Sequence, residues 1–300
     1  MKKINSWVSA ARLRTLPLSL SGILAGTAIA VEKGSFNIAV FCLALGTTLG
    51  LQVLSNFAND YGDGVKGTDN EERIGPVRAL QSGIISDKEM LVGIVITAII
   101  TLVLAILLIY AAFGKEDLIF TIIFLFLGVG AIAAAIKYTV GNSAYGYRGL
   151  GDVFVFIFFG LVSVYGSFFL YSQQLEWNVF LPAAAFGFLS AGVLNLNNMR
   201  DRISDGKSGK NTLVVKIGGA KAKNYHYFLI LAAFVCLTLY AILNFKNFYD
   251  LLYMLAFIPL IFHLKRVYQN TTPMMLDPEL KILSLSTFGA ALLFGIGQIL

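Results

Sequence analysis

The stretch IAVFCLALGTTLGLQVLSNFA at residues 38–58 runs directly into NDYGDGVKGTD at residues 59–69. The first part has the length and apolar character of a transmembrane helix, which needs about 20 such residues. The second part adds three aspartates at the end of that helix. A second apolar segment, residues 179–199, ends in the same way in NLNNMRDRISD at residues 195–205. Because ionisable groups near the hydrocarbon are costly to keep, we interpret these first and second acidic clusters as candidate functional sites.

Composition predicts a membrane protein over the whole chain. Of the 300 residues, 57% are hydrophobic and only 13% are charged, which excludes an ordinary soluble domain. We therefore predict an all-α integral membrane protein in which one domain, residues 1–300, forms a bundle of about nine transmembrane helices. The apolar segments are residues 15–31, 38–58, 90–113, 117–137, 151–171, 179–199, 225–244, 248–264 and 281–300.

The basic residues predict the orientation of these segments. The N-terminus and the even-numbered connections carry 20 of the 23 lysines and arginines, and such residues favour the cytoplasmic side. We therefore expect a cytoplasmic N-terminus and a candidate active-site cavity that faces the cytoplasm, with both acidic clusters on that side. The net charge of +6 follows from this topology and from contact with anionic lipid, so it requires no nucleic-acid partner.

The spacing within each cluster suggests metal binding. Asn59 and Asp63 are four residues apart. Asp201 and Asp205 repeat this spacing, so each pair shares a helix face if its helix continues that far. Mg²⁺ is bound by one or two carboxylates together with substrate phosphates and water, so two such faces suit a diphosphate held through Mg²⁺. The cationic residues that follow the clusters are candidate phosphate contacts: Lys66, Arg73, Arg78, Lys207 and Lys210.

A third polar segment, KYTVGNSAYGYRGLGD at residues 137–152, lies on the same predicted side of the membrane. Its aromatic and hydrogen-bonding side chains are candidates to line a pocket for a second substrate: Lys137, Tyr138, Tyr145, Tyr147, Arg148 and Asp152. An aromatic belt at the membrane interface is the alternative interpretation of the tyrosines. His226 and His263 stand alone near predicted helix ends, where we expect interfacial or packing roles.

Three separated blocks together resemble a known family. They are ANDYGDGVKGTDNEERIGPVRALQSG at residues 58–83, KYTVGNSAYGYRGLGDVFVFIFFG at residues 137–160 and NNMRDRISDGKSGKNTLVVKIG at residues 197–218. In order and spacing these blocks are similar to the UbiA superfamily of membrane prenyltransferases, which carries an Asn/Asp-rich motif after its second helix and a DxxxD motif after its sixth. Within the superfamily, the chain most resembles the 1,4-dihydroxy-2-naphthoate polyprenyltransferases of menaquinone biosynthesis.

The resemblance implies an Mg²⁺-dependent enzyme of the bacterial cytoplasmic (inner) membrane that acts in menaquinone (vitamin K2) biosynthesis. Such an enzyme transfers the prenyl group of a polyprenyl diphosphate to 1,4-dihydroxy-2-naphthoate, with loss of carbon dioxide, and gives demethylmenaquinol and diphosphate. Two Mg²⁺ ions are expected to bridge the diphosphate. The alternatives are another aromatic acceptor, such as 4-hydroxybenzoate or homogentisate, and a cation-coupled membrane transporter. The transporter is disfavoured because the centres of the predicted spans are almost free of charge.

The resemblance also implies roles for individual residues. The metal-binding set is Asn59, Asp60, Asp63, Asp69, Asn198, Asp201 and Asp205, with Asp60 either a ligand or a neighbour that supports one. The substrate-binding set is Lys66, Arg73, Arg78, Lys137, Arg148, Asp152, Lys207 and Lys210. The catalytic set is Asp63, Asp201, Arg78, Lys137, Tyr138 and Tyr147, in which a tyrosine face stabilises an allylic cation. Gly67 stands where the commoner superfamily motif has its last aspartate, so Asp69 reaches the metal either directly or through water.

Overall fold

The computed structural model describes residues 2–69 and 77–300, and within them the chain is helical and contains no β-strand. The α-helices are α1 (Lys2–Ala11), α2 (Leu16–Glu32), α3 (Ile38–Val65), α4 (Asp87–Phe113), α5 (Leu118–Lys137), α6 (Gly151–Val155), α7 (Ser167–Ser172), α8 (Phe180–Lys207), α9 (Leu213–Ile217), α10 (Gly219–Leu243), α11 (Met254–Gln269) and α12 (Asp277–Ile299). A π-helix, Phe156–Gly166, joins α6 to α7. Short 3₁₀ turns are formed by Leu13–Thr15, Tyr145–Arg148, Trp177–Val179, Phe248–Leu251 and Pro273–Leu276.

Nine helical segments of the described chain are long and apolar enough to cross a membrane, which confirms the predicted number. They are Lys3–Glu32, Ile38–Val65, Asp87–Phe113, Leu118–Lys137, Gly151–Ser172, Trp177–Lys207, Gly219–Leu243, Phe248–Gln269 and Pro273–Ile299. The protein is therefore a multi-pass membrane protein. The second and sixth spans continue well past their predicted ends at residues 58 and 199, because polar residues can extend a helix beyond the hydrocarbon. This extension places Asn59 and Asp63 in α3 and Asp201 and Asp205 in α8, as the shared-face prediction required.

Contacts within the chain define two compact units. The first consists of Met1–Leu16, Cys42–Gly151 and Asp201–Lys216. Its core is built around the C-terminal half of α3 and the N-terminal end of α4, where Leu54 and Met90 are fully buried. The candidate site residues of the first acidic cluster lie in this unit together with the two aspartates of the second.

The second unit consists of Pro17–Phe41, Asp152–Arg200 and Ile217–Leu300. Its helices approach one another closely through small residues. A Cβ added to Gly160 of the π-helix would lie 2.6 Å from the Cα of Gly187 in α8. Backbones can meet at this distance only where a side chain is missing, which is a common way to pack helices within membranes.

Candidate active site

The C-terminal end of α3 carries the first acidic cluster and closes with a left-handed glycine. Gly67 has a φ of 70° and donates its N–H to the Gly64 carbonyl at 3.0 Å. The N–H of Thr68 returns to the carbonyl of Asp63 at 2.9 Å, which completes a Schellman cap. Glycine adopts this backbone without strain, which gives a physical reason for Gly67 at the place where an aspartate is commoner. The N–H of Asp69 also lies 3.4 Å from the Asp63 carbonyl, so the chain folds back over the cluster.

The C-terminal end of α8 repeats this cap after the second acidic cluster. Gly209 has a φ of 74° and donates its N–H to the Gly206 carbonyl at 3.3 Å. The N–H of Lys210 returns to the Asp205 carbonyl at 2.8 Å. Each cluster therefore ends with the same two backbone hydrogen bonds, and the second cap fixes the backbone of Lys210 next to Asp205.

The ammonium group of Lys210 joins the two clusters. Its Nζ lies 3.3 Å from Asp63 Oδ2 and 4.0 Å from Asp205 Oδ1, and all three side chains are largely buried. Burial alone would lower the pKa of Lys210, but the carboxylates of Asp63 and Asp205, helped by Tyr147, outweigh it and raise the pKa above its ordinary value. Carboxylates from α3 and α8 thus face one shared cationic position.

Tyr147 organises the same group of side chains. Its hydroxyl donates to Asp63 Oδ1 at 2.7 Å and lies 2.7 Å from the hydroxyl of Thr68. Because its single phenolic proton goes to Asp63, Thr68 is the donor in the second bond. Burial, followed by the charge of Asp63, raises the pKa of Tyr147, so the phenol stays protonated at neutral pH. The ammonium of Lys66 lies 3.9 Å from the centroid of the Tyr147 ring, and that of Lys210 lies 5.3 Å from it.

Lys66 ties the first cluster to the turn that follows α5. Its Nζ donates to the Thr139 carbonyl at 2.6 Å, while the Thr139 hydroxyl donates to the Ala58 carbonyl at 2.9 Å and lies 3.3 Å from Asn59 Oδ1. Burial lowers the pKa of Lys66; the charge of Asp63 opposes this shift and that of Lys210 adds to it. Lys66 and Lys210 therefore lie close together beside the Tyr147 ring. Lys66 is hydrogen-bonded to the turn after α5, and Lys210 is paired with Asp63 and Asp205.

A separate ionic group in the same unit surrounds Asp60, which is 1% exposed. Its Oδ1 lies 3.5 Å from Arg12 Nη2 and 3.5 Å from Arg78 Nε, and its Oδ2 accepts the N–H of Ala79 at 3.1 Å. Arg78 Nε also lies 3.6 Å from Asp69 Oδ2. The carboxylate of Asp60 is thus engaged by arginines, and Arg78 links Asp60 to Asp69.

The other predicted acidic and amide residues are buried. Asp201 lies one turn before Asp205 in α8, and Asn198 lies three residues before Asp201 in the part of α8 that belongs to the second unit. Asp152 begins the fifth span and also belongs to the second unit, where Tyr225 is its neighbour. The predicted phosphate contact Arg73 lies outside the described residues.

The other predicted basic and aromatic residues are more accessible. Lys137 at the end of α5, Arg148 in the 3₁₀ turn and Lys207 at the end of α8 all have exposed side chains. Tyr138 is half-buried and meets Tyr145 edge-to-face, with 5.3 Å between ring centroids. The Tyr145 hydroxyl donates to a carbonyl of α5 at 2.9 Å, which makes this residue part of the support for the turn.

Three residues of these groups are not among those predicted from the sequence: Thr68, Thr139 and Arg12. The two threonines lie inside the quoted motifs, directly beside predicted site residues, and that position is a usable signal. Arg12 gives no such signal, because its partner Asp60 is far away in sequence and no local pattern connects them. Arg12 also has a left-handed backbone, with a φ of 49°, which is uncommon for a residue with a side chain.

The donors around Lys210 suit a hard divalent cation. Oxygens of Asp63 and Asp205 surround the Lys210 ammonium, so a positive charge is already stabilised at this position. Across the described ranges, no three Asp, Glu, His or Cys side chains come close enough to form a metal site by themselves. Two protein carboxylates fit Mg²⁺, which completes its coordination with substrate phosphates and water.

Comparison with known proteins decides the family. The model of the UbiA prenyltransferase family matches residues 19–292, which is nearly the whole chain. The chain belongs to the UbiA prenyltransferase family. This UbiA protein is 42% identical to the 1,4-dihydroxy-2-naphthoate octaprenyltransferase of Escherichia coli strain K12, over 94% of this chain and 91% of that one. It is 41% identical to the Haemophilus influenzae protein of the same name, over 100% of this chain and 97% of that one.

Solved structures show the same fold at lower identity. The apo UbiA homologue from Aeropyrum pernix K1 superposes with a TM-score of 0.69 at 16% identity, over 95% of this chain and 97% of that chain. A UbiA homologue from Archaeoglobus fulgidus, bound to DMAPP and Mg²⁺, gives a TM-score of 0.62 at 15% identity, over 99% and 100% of the two chains. The predicted all-α membrane fold of the UbiA type is therefore confirmed.

Replacing Gly209 by alanine should destabilise this UbiA protein and reduce its activity. A left-handed alanine costs about 1–2 kcal/mol, and the strain falls on the cap that holds Lys210. Gly206→Ala is the matched control, because a Cβ there meets only Val215 Cγ1 at an ordinary 3.8 Å. Thermal unfolding in detergent, followed by circular dichroism, should show a lower melting temperature for Gly209→Ala alone. Equal melting temperatures for Gly209→Ala and the wild type would contradict the capping role.

Proposed function

We propose that this protein transfers a polyprenyl group from a polyprenyl diphosphate to 1,4-dihydroxy-2-naphthoate, with loss of carbon dioxide, in menaquinone biosynthesis. The products are demethylmenaquinol and diphosphate. This function rests on the similarity to two bacterial proteins named 1,4-dihydroxy-2-naphthoate octaprenyltransferase. They are 42% and 41% identical to this chain over nearly its full length. The position of the acidic clusters supports it, since both provide oxygen donors suited to a metal-bound diphosphate.

The proposed diphosphate site is the group around Lys210. Lys210 and Lys66 offer point charges to the phosphate oxygens, and Arg78 offers a planar fork. Mg²⁺, proposed as two ions held with the diphosphate by the two acidic clusters, supplies the positive charge that stabilises the leaving group. The Archaeoglobus fulgidus homologue bound to DMAPP and Mg²⁺ supports this cofactor. The proposed protein ligands are Asn59, Asp63, Asp69, Asn198, Asp201 and Asp205.

Asp60 has a different proposed role. Its oxygens already contact Arg12, Arg78 and the Ala79 N–H, as described above. We therefore assign it to the positioning of Arg78 and not to direct metal binding. Of the two roles that the sequence left open for Asp60, we propose this one because a carboxylate held between two guanidinium groups has little remaining capacity for a metal ion.

The proposed reaction proceeds by ionisation of the donor. The bond from the allylic carbon to the diphosphate oxygen breaks, and its electron pair leaves with the diphosphate, whose charge the neighbouring cations stabilise. The electron-rich naphthoate ring then gives an electron pair to the allylic carbon. Loss of the carboxylate as carbon dioxide returns an electron pair to the ring and restores its aromaticity. Water must be kept from the allylic cation, since hydrolysis competes with transfer.

Tyr147 is proposed to act through its hydroxyl. The ammonium of Lys66 already lies 3.9 Å from the ring centroid, so the ring is engaged by a protein cation. Tyr147→Phe keeps the ring and removes the hydrogen bonds to Asp63 and Thr68. We expect turnover to fall about 10–100-fold, as for other partners that orient metal ligands.

Tyr147→Leu is the companion variant, because it removes the ring as well. If the hydroxyl carries the role, both variants should lose activity to a similar extent in an assay of initial prenylation rate. Full activity in Tyr147→Phe with loss in Tyr147→Leu would instead support ring stabilisation of the allylic cation, and would overturn the proposed hydroxyl role.

The acceptor is proposed to bind along residues 137–152. Tyr138, Lys137, Arg148 and Asp152 remain its candidate contacts, and Tyr138 is the remaining candidate for stabilising the cation. The proposed naphthoate specificity is tested with purified protein in liposomes, a polyprenyl diphosphate and Mg²⁺. The expected result is a prenylated product with 1,4-dihydroxy-2-naphthoate, abolished by EDTA. Product formation only with 4-hydroxybenzoate or homogentisate would overturn the acceptor.

We further propose that the protein lies in the bacterial cytoplasmic (inner) membrane, with its N-terminus and both acidic clusters on the cytoplasmic side. The concentration of lysine and arginine in alternate connections supports this orientation. We also propose that residues 1–300 act as one prenyltransferase domain, which the family match over residues 19–292 supports. Both substrates are then available to the enzyme, since the polyprenyl chain resides in the bilayer and the naphthoate in the cytoplasm.

A further inference from the structure

A network of buried polar side chains crosses the second unit and includes none of the proposed metal-binding, substrate-binding or catalytic residues. His226 in α10 and His263 in α11 are fully buried, and their Nε2 atoms are 2.8 Å apart. His263 Nδ1 lies 2.6 Å from Glu279 Oε2 in α12, and Arg266 pairs with the same carboxylate. At the other end, Asn195 Nδ2 in α8 lies 3.4 Å from His226 Nδ1. Four helices are therefore linked by one hydrogen-bonded chain.

The acceptors in this chain fix the direction of every hydrogen bond. Glu279 is a carboxylate neutralised by Arg266, so it accepts from His263 Nδ1–H. The Nε2 of neutral His263 is then an acceptor, and His226 must donate to it from Nε2–H. His226 Nδ1 is left as an acceptor for the amide of Asn195. These proton positions follow from the network and require no charged imidazole.

The chain ends on a group that cannot pass on a proton. Asn195 is an amide, and its Oδ1 has no hydrogen-bond partner among the residues the structure describes. Its Nδ2 donates to the Ala222 carbonyl in α10 at 3.1 Å as well as to His226. The hydrogen-bonded network therefore holds α8 in position against α10.

The two helices are also close at the preceding turn of α8. A Cβ added to Gly192 would lie 3.4 Å from Ile230 Cδ1 and 3.8 Å from His226 Cε1. A turn of α8 about its axis would consequently disturb both this contact and the bonds of Asn195. The packing and the hydrogen bonds restrict the same motion.

We propose that Asn195, His226, His263 and Glu279 are positioning residues that set the rotation of α8 and so aim its second acidic cluster. Asn198 and Asp201 follow Asn195 by three and six residues in the same helix. A carboxylate oxygen lies roughly 6 Å from a helix axis, so a rotation of about 10° moves it by about 1 Å. Misplacement by 1 Å can reduce a rate by about 100-fold. This inference rests on the proposed Mg²⁺-diphosphate function.

The test compares Asn195→Leu, which removes both donors at similar volume, with Tyr227→Phe. Tyr227 is the matched control because its hydroxyl also joins α10 to α11, by donating to the Leu264 carbonyl at 2.7 Å. Tyr227 is not a member of the hydrogen-bonded network of Asn195, His226, His263 and Glu279. Two readouts are measured: the Mg²⁺ concentration for half-maximal turnover, and the Mg²⁺ concentration for half-maximal thermal stabilisation with non-reactive geranyl thiodiphosphate. We expect both to rise about tenfold or more in Asn195→Leu and to stay unchanged in Tyr227→Phe.

Unchanged Mg²⁺ dependence in Asn195→Leu, with only a lower melting temperature, would overturn the proposal and leave a purely structural role. If Asn195→Leu does not fold, His226→Gln replaces it, because glutamine keeps an N–H that can donate to His263 but has no ring nitrogen at the Nδ1 position that accepts from Asn195. A shifted pH profile of turnover in His226→Gln would indicate proton transfer and also overturn positioning. Failure of the wild type to prenylate the naphthoate would overturn the proposed function instead. The thermal readout would still report whether the hydrogen-bonded network affects Mg²⁺ binding.

Discussion

Asp63→Asn should abolish turnover while leaving the protein folded. Asp63 accepts the Tyr147 hydroxyl at 2.7 Å and faces the Lys210 ammonium at 3.3 Å. Asparagine keeps the shape and one acceptor oxygen, so Tyr147 retains a partner, but the negative charge that would hold Mg²⁺ is lost. The loss should exceed the roughly 10–100-fold reduction typical of outer partners of metal ligands. The measurement is the initial rate of prenylated naphthoquinol formation by purified protein in liposomes.

Two further variants make this result interpretable. Asp201→Asn should behave like Asp63→Asn, because both aspartates are proposed ligands from opposite clusters. Asp87→Asn is the control, since Asp87 is an exposed carboxylate in the first turn of α4 and has no place in the site. Near-normal activity in either Asp63→Asn or Asp201→Asn, with melting temperatures like that of Asp87→Asn, would rule out the metal-diphosphate account.

Lys210→Met should have the second largest effect, and it should depend on Mg²⁺. The ammonium is the cation shared by Asp63 and Asp205, so its removal leaves two largely buried carboxylates without this counter-charge. Breaking a buried pair in this way costs about 3–5 kcal/mol. We expect a lower melting temperature in EDTA and a larger rise on adding Mg²⁺ than the wild type shows. Turnover should fall at least about 30-fold, because a proposed phosphate contact is lost as well.

Lys221→Met is the matched control for this prediction. Lys221 has the same charge but an exposed side chain in the first turn of α10, and it belongs to the second unit. It should match the wild type in EDTA and in Mg²⁺. The interpretation of Lys210 as the cation shared by Asp63 and Asp205 would be contradicted if Mg²⁺ raised the melting temperature of Lys210→Met no more than that of Lys221→Met.

Much of the fold could be predicted because hydrophobicity decides it. A run of apolar residues such as 38–58 has few alternatives to a transmembrane helix. The polar end of α3 was harder, since nothing apolar extends past residue 58. Spacing alone suggested that Asn59 and Asp63 share a helix face, and the structure confirms that both lie in α3. The end of that helix was readable in principle, because Gly67 is the residue type that a left-handed cap requires.

The contacts of the site were less predictable because they join distant segments. Arg12 meets Asp60 across the fold, and no local pattern reports that pairing. Lys210 was one of several basic residues after the second cluster, and only the geometry distinguishes it from the exposed Lys207. A basic residue near a helix end also has two interpretations from sequence alone: it can determine the membrane topology, or it can contact a phosphate group. Burial and partners separate those two roles.

The histidines illustrate the same limit. Each stands alone in the sequence, on a different helix, so packing was the expected role. The structure buries both, in agreement with packing, but it also places His226 Nε2 within 2.8 Å of His263 Nε2. Sequence periodicity predicts which helix face is buried and not which polar atoms meet across helices.

Decarboxylating prenyl transfer is tested most directly by following the carboxylate of the acceptor. Wild-type protein in liposomes is given Mg²⁺, a polyprenyl diphosphate and 1,4-dihydroxy-2-naphthoate labelled in its carboxyl carbon, and labelled carbon dioxide and prenylated product are counted together. We expect one labelled carbon dioxide for each prenylated naphthoquinol, with neither formed in EDTA. Prenylated product that keeps the label, or labelled carbon dioxide released without prenyl diphosphate, would contradict it.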